Sequence, residues 1–385
     1  MDPSPTGREL LTVEEFLTLS AKINYQLSAR SLKADVLLSL VLGPTAVDAR
    51  VHDVMVKAFL ALQAGYDTDR RRLGTPGILH PLRATALLSR TVGQPTLVSL
   101  LAALFHDKQE DLTEAELGPE RFGRMQALFA EMEALLTEAE RARLTHALRW
   151  LTNDLGSYSL YVGQVLDHAT ELPELLQVKL SDRIDNTFDV HLQHPGVSNF
   201  NFYRAVFDIL FQPGFRGVSM GRFHFMPDLA EGVMLLSQLF KNTLLLAMVR
   251  NAGLDRRDPA TARLFTGLAV AGIREAQWLA LEMFNTLYAD VARQRALLLE
   301  VMEYCAKGGI AAVRMPGAGG ELDGVFVRFT SGDRAEQKRA LAELFQDKER
   351  LVRMVLAFIV VFASFLNDPT YTLLGIDRTG AHPQG

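Results

Sequence analysis

The chain cannot form an internal disulfide, because Cys305 is its single cysteine among 385 residues. That excludes the disulfide-stapled secreted folds and agrees with a reducing compartment. A basic surplus is also missing. With 40 Lys and Arg against 45 Asp and Glu the formal charge is −5, so no global field draws nucleic acid or anionic lipid, and an anionic ligand has to be gathered by a local basic cluster. Small ligands are therefore favoured over polymers. Met1 to Ser20 has neither the basic start nor the apolar run of a secretory signal, which makes the cytoplasm the expected location. The most membrane-like stretch, MVLAFIVVFASFL from Met354 to Leu366, lies between Arg353 and Asp368. It falls short of the roughly 20 residues needed to span a bilayer and reads as a buried helix, so no membrane partner is expected.

What remains is an ordinary globular composition, 48% apolar and 22% charged, in a chain longer than the roughly 250–300 residues at which single cores stop growing. Helical periodicity dominates. Val13 to Leu42, Ala46 to Gly65, Pro81 to Thr91, Thr96 to Asp107, Gly123 to Leu151, Tyr158 to His168 and Leu175 to His191 carry apolar residues three and four apart. Leu229 to Arg250, Pro259 to Leu287, Val291 to Ala306 and Arg334 to Leu366 continue the pattern. The clearest strand signal is Ile310 to Phe329, where IAAVRMP and VFVRF flank GAGGELDG and predict one β-hairpin. The breakers Pro195-Gly196 and Pro213 to Pro227 place a boundary near Asn199. The expected class is all-α: an N-terminal helical extension over residues 1–43, a helical bundle over 44–198, and a second helical region over 199–385 with one hairpin. Disorder is expected only at Met1 to Gly7 and Thr379 to Gly385. The aromatic-rich segment Phe200 to Phe225 reads as core packing, and His191, His194 and His224 as structural.

Chemistry concentrates in Thr96 to Asp111, TLVSLLAALFHDKQED, where an apolar helix delivers His106 and Asp107 at its end. Neutral imidazole and carboxylate both suit Mn, Fe or Zn. The chain holds its own control, since His52-Asp53 repeats the dipeptide in a plain amphipathic helix and reads as a surface pair. Upstream of the first pair, His80 immediately precedes Pro81, a residue that favours helix starts. Downstream, Asp182 lies in VKLSDRIDN, with Asn186 four residues on and so on the same face. His80, His106, Asp107 and Asp182 thus form a candidate ligand set drawn from three helices, with positions left for water and substrate oxygens. Glu110 lies four beyond His106, so a continuing helix places it near the ion. Arg71, Arg72, Lys179 and Arg183 supply the local positive field that the acidic chain otherwise lacks.

The segments RRLGTPGILHPLRATALL, AALFHDKQEDL and VKLSDRIDN, in that order, resemble the hydrolase half of the RelA/SpoT family and its small stand-alone relatives, within the HD phosphohydrolases. The likeness covers about Lys57 to Val190. The family removes pyrophosphate from the 3′ position of the alarmone (p)ppGpp, the signal of the stringent response. The resemblance implies that His80, His106, Asp107 and Asp182 are metal ligands, usually for manganese, and that Glu110 and Asp111 are the acidic pair serving the attacked phosphate. It implies that Arg71 and Arg72 line the nucleotide pocket, that Asn186 contacts the nucleotide, and that Ser157-Tyr158 with Tyr161 matches the aromatic stretch before the last ligand. The chain departs from the pattern at Gly74-Thr75-Pro76-Gly77, where the family has Gly-Glu-Pro-Tyr, at Tyr66-Asp67-Thr68-Asp69, and at Asp189, where it has threonine. An extra carboxylate at Asp189 repels an anionic nucleotide unless a cation pairs with it.

The expected function is metal-dependent hydrolysis of a small nucleotide, with (p)ppGpp or a related alarmone first, another nucleotide or phosphoester second, and a non-catalytic nucleotide sensor third. Nothing beyond Asn199 resembles the family's synthetase half. No nucleic-acid polymer is an expected partner, and self-association is left open.

Overall fold

The computed structural model describes residues 13–28, 33–45, 47–66, 76–192, 229–288, 290–306, 322–330 and 334–381. It is 80% helical with one two-stranded sheet, which makes the fold all-α. The chain divides into two compact units, one of residues 1–154, 164–193 and 256–265, the other of residues 155–163, 194–255 and 266–385. The position near Asn199 falls outside the described residues.

In the first unit, α1 (Val13–Ser28), α2 (Ala34–Leu42), α3 (Ala49–Tyr66) and α4 (Leu79–Val92) lead to α5 (Leu97–Phe105). Every residue of α5 is buried, as its sequence LVSLLAALF requires. Thr96 starts it by accepting a hydrogen bond from Ser99 N at 3.1 Å. Four short and medium helices follow: α6 (Lys108–Asp111), α7 (Glu114–Leu117), α8 (Pro119–Glu133) and α9 (Glu138–Leu151). After α10 (Tyr158–His168), the long α11 (Pro173–Leu192) packs on α4 and α5. Phe16 of α1 packs on Phe188 of α11 with ring centroids 4.9 Å apart.

Helix boundaries differ from the periodicity where a cap intervenes. The expected helix Val13 to Leu42 is two helices, with residues 29–32 outside the described ones. Gly123 to Leu151 is also two, because Thr137 and Glu140 form a capping box: Thr137 Oγ1 accepts from Glu140 N at 3.2 Å and the Glu140 carboxylate accepts from Thr137 N at 2.9 Å.

The second unit contains the start of α10 with α12 (Leu229–Asn251), most of α13 (Pro259–Leu287), α14 (Val291–Ala306), α15 (Val325–Thr330), α16 (Arg334–Gln346) and α17 (Lys348–Asn367). Asp347 separates the last two, which periodicity joined, by accepting from Arg350 N at 3.2 Å at the start of α17. The Met354 to Leu366 stretch is an interior face of α17 as expected, with Phe358 and Phe362 at 0% exposure. Gly272 of α13 makes room for it, since a Cβ there would come within 2.7 Å of the Phe362 ring. By length and composition Gly232–Asn251 could cross a membrane, yet 78% of that window is buried within the protein.

The hairpin expected over Ile310 to Phe329 is not where the sheet lies. Residues 307–321 are outside the described ones, and VFVRF is the helix α15. Phe326 and Phe329, three apart, both face Phe240, at 5.4 and 4.8 Å between centroids, a spacing that a helix satisfies and a strand does not. The small antiparallel pair is instead β1 (Ile376–Asp377) with β2 (Gly380–Ala381). Thr379 to Ala381, expected to be disordered, thus include part of it.

Replacing Thr137 with alanine removes the cap between α8 and α9 and should cost about 1 kcal/mol of stability. Urea unfolding followed by circular dichroism reads this as a lower midpoint, and an unchanged midpoint would show that the box does not hold that boundary.

Candidate metal centre

His80 lies in the first turn of α4, His106 caps the end of α5, Asp107 follows it, and Asp182 projects from the middle of α11. Their donor atoms converge. His80 Nε2 is 3.1 Å from His106 Nε2, and each imidazole nitrogen is 3.3 Å from Asp107 Oδ2. Asp182 Oδ1 is 3.3 Å from His80 Nε2 and 3.6 Å from His106 Nε2. Donors bound at roughly 2.0–2.2 Å to one tetrahedral ion stand about 3.3–3.6 Å from one another. His80, His106 and Asp107, whose donor atoms all lie within 4.8 Å of one another, therefore have the dimensions of a single-ion site, and Asp182 stands beside the two imidazoles. The side chains of His80, His106 and Asp182 are 4–6% exposed, whereas that of Asp107 is 28% exposed, so solvent reaches the centre on the Asp107 side.

A break in the helix makes this convergence possible. Adjacent side chains of a continuous helix diverge by about 100°, yet His106 and Asp107 have to meet the same point. The chain leaves helical geometry at Asp107, with φ −93° and ψ 5°, and resumes as α6. That sparsely populated region is a frequent home of active-site residues. At α4, Pro81 costs no hydrogen bond because the helix begins two residues earlier, at Leu79, and amides of a first turn have no partner within the helix.

The far nitrogens of both imidazoles are committed. His106 Nδ1 lies 2.9 Å from Ala103 O, and a carbonyl only accepts, so Nδ1 carries the proton. His80 Nδ1 donates to Asp185 Oδ2 at 2.6 Å. Asp185 is in turn clamped by Arg83, whose Nε and Nη2 donate to its two oxygens at 2.7 and 3.1 Å. Arg83 is fully buried, with Nη2 also donating to Asp189 Oδ1 at 2.5 Å, Nη1 to Ser20 Oγ at 3.3 Å, and the Phe16 ring 5.4 Å from its guanidinium carbon. Both Nε2 atoms face the cluster, where they could serve as ligands.

Asp182 is held in place from both sides, its Oδ2 accepting from Lys179 Nζ at 2.8 Å and its Oδ1 from Asn186 Nδ2 at 2.5 Å. Among the described residues, Asp185 and Asp189 pair with Arg83, and Asp182 pairs with Lys179. Burial disfavours a proton on His106, but Asp107 and then Asp182 outweigh it and hold its pKa well above the ordinary value. Burial likewise raises Asp107, and His106 and His80 more than reverse it, so its pKa is strongly lowered. Asp182 is held well below the usual carboxylate range, chiefly by Lys179 and the two histidines against burial. Asp185 is brought down to about 2 by Arg83 and His80, again against burial. The pocket draws positive charge to its centre.

The remaining expected residues are placed as follows. Glu110 and Asp111 stand on α6 at the surface; Glu110 Oε1 accepts from Asn153 N at 2.9 Å and Asp111 Oδ2 from Tyr66 OH at 3.1 Å. Partial enclosure and the charge of Asp107 raise both carboxyls above their ordinary values. Glu110 is not on an unbroken continuation of α5, as its spacing suggested, because Asp107 interrupts the helix. Lys179 and Asn186, expected at the substrate, each donate to Asp182, and Arg183 is 4% exposed. Asp189 does meet a cation, Arg83. Arg71 and Arg72, together with Gly74, Thr75 and Asp67 to Asp69, lie outside the described residues, as do His194 and His224. Tyr158 and Tyr161 are buried in α10. The control pair behaves as a surface pair, with His52 3.3 Å from Asp35 and the Asp53 side chain 77% exposed.

Arg83 and Asp185 are the residues that sequence reading missed. The available signal was spacing: Arg83 is three beyond His80, and Asp185 three beyond Asp182, one turn from a ligand in each helix. No protein-family model matches this sequence, and no curated protein matches it significantly.

If the cluster takes up Mn2+, binding should release on the order of one proton per site, because an ion at Nε2 competes with the proton that Asp107 and Asp182 favour on His106. Affinity for Mn2+ should therefore rise with pH until the elevated pKa of His106 is passed. Calorimetry in buffers of different ionisation enthalpy measures the proton count, and a buffer-independent enthalpy would refute it.

Proposed function

We propose that this chain is a metal-dependent phosphohydrolase of the HD type, acting on a small nucleotide, with (p)ppGpp or a related alarmone as the substrate and removal of its 3′ pyrophosphate as the reaction. The observation that carries this reading is the grouping of His80, His106 and Asp107, with donor atoms within 4.8 Å of one another, and of Asp182 Oδ1 at 3.3 and 3.6 Å from the two imidazole nitrogens. The nucleotide assignment rests on the sequence resemblance together with that geometry.

The donor set of two imidazoles and two carboxylates fits Mn2+, as well as Fe2+ or Zn2+. Held by His80, His106, Asp107 and Asp182, a divalent ion would supply polarisation of a phosphoryl oxygen and a lowered pKa for water. The chain's own groups supply the rest. The Asp107 side is the open one, so the reacting phosphate enters past α6, where Glu110 and Asp111 stand. One of these carboxylates takes the proton of the attacking water as its oxygen bonds to phosphorus. The bond from phosphorus to the 3′ oxygen then breaks, and that oxygen takes up a proton. Asn153 and Tyr66 hold the two carboxylates in orientation. On this reading the partner is a small anionic nucleotide in the cytoplasm, gathered by Arg71 and Arg72.

Purified protein supplied with Mn2+ should release pyrophosphate from (p)ppGpp within a panel of nucleotides, with product identity read by anion-exchange chromatography. Asp107→Ala and Glu110→Ala should each lower turnover by about 100-fold or more while the helical circular dichroism is retained. Absence of turnover across the whole panel would sink the reading; turnover of a different nucleotide would keep the hydrolase and replace the substrate.

A further inference from the structure

We infer that Arg83 and Asp185 act together as positioning residues for His80, fixing the orientation of its ring and its proton at Nδ1 so that Nε2 is presented to the ion. The inference rests on the metal-site reading above and deepens it by assigning the two histidine ligands different means of support.

The two ligands are held unequally. His106 is fixed locally, by a carbonyl three residues back in its own helix. His80 Nδ1 is met by Asp185, 105 positions away in sequence on α11. A single carboxylate could rotate about its own bond and release the ring. Here it cannot, because the Arg83 fork takes both of its oxygens, at 2.7 and 3.1 Å, and leaves Oδ2 aimed at His80 Nδ1 at 2.6 Å. Planar two-point geometry of this kind is what a guanidinium supplies and an ammonium does not.

Arg83 is itself immobilised. Its side chain has no exposed surface, Asp189 takes a further N–H, and Ser20 and Phe16 of α1 close the remaining sides. A cation so enclosed would be strongly destabilising without its carboxylates, and Asp185 without its cation equally so. The pair spans α4 and α11, the helices that carry His80 and Asp182, so the same contact that orients one ligand also sets the distance between two. A hydrogen bond from a ligating imidazole to a carboxylate also increases the basicity of the metal-binding nitrogen, and loss of such a partner typically weakens metal binding 10–100-fold.

The test uses the full-length chain labelled with 15N-histidine. The His80 Nδ1 proton should be a slowly exchanging, far-downfield resonance, assigned by its disappearance in His80→Gln. Asp185→Asn should abolish that resonance, leave the His106 Nδ1 proton in place, and weaken Mn2+ binding by 10–100-fold in calorimetric titration. The retained His106 signal establishes that the fold has survived. Arg83→Lys keeps the buried charge but removes the fork, and should speed exchange of the His80 proton with a smaller loss of Mn2+ affinity. The inference is overturned if the wild-type His80 Nδ1 proton is absent, or if Asp185→Asn keeps it or holds Mn2+ within twofold of wild type. If the wild-type chain binds no Mn2+ at all, the metal reading fails separately, and the nitrogen spectra alone decide whether Asp185 orients His80.

Discussion

The charge balance of one buried cluster governs the first unit. Arg83 has no contact with solvent, and taking a guanidinium out of water is tolerable only where carboxylates surround it. Asp185 and Asp189 meet that need, and Asp185 also reaches His80, which stands beside Asp107 and Asp182. Lys179 pairs with Asp182. On the proposed reading, a cation bound among these side chains would extend an ion network that links α1, α4 and α11.

Much of this was legible in the sequence, and the limits are physical. His106 and Asp107 stood out because an entirely apolar helix ended in two polar groups, and the chain's second His-Asp pair, lacking such surroundings, is indeed a surface feature. Helices with strong periodicity were recovered to the residue, as with Tyr158–His168, Pro259–Leu287 and Val291–Ala306. The failures arise where a single residue redirects the backbone. Thr137 and Asp347 each end one helical pattern and begin another without disturbing its period, so only the capping side chain marks the division. VFVRF alternates well enough for a strand, but the side chains it buries, Val325, Phe326 and Phe329, have a helical spacing that becomes visible only against Phe240. The break at Asp107 was invisible because it depends on backbone angles, which the residue type barely restricts.

Lys179 and Asn186 illustrate a further limit. Their charge and polarity pointed to the substrate, and a sequence cannot say which neighbour a polar side chain one turn from Asp182 meets. Here both donate to Asp182. Asp189 is the reverse case: an unfavourable carboxylate in the sequence becomes useful once Arg83, more than one hundred positions away, is seen against it.

The distance along the chain between His80 and Asp185 has a bearing on biosynthesis. With 105 positions between them, the ring that emerges early from the ribosome finds its orienting carboxylate only after α11 has followed. Domains are made at roughly 5–20 residues per second, so several seconds separate the appearance of the first ligand from that of the last. A nascent chain of this protein carries histidines and aspartates but no assembled cluster, and on the proposed reading uptake of an ion would be a late event of maturation.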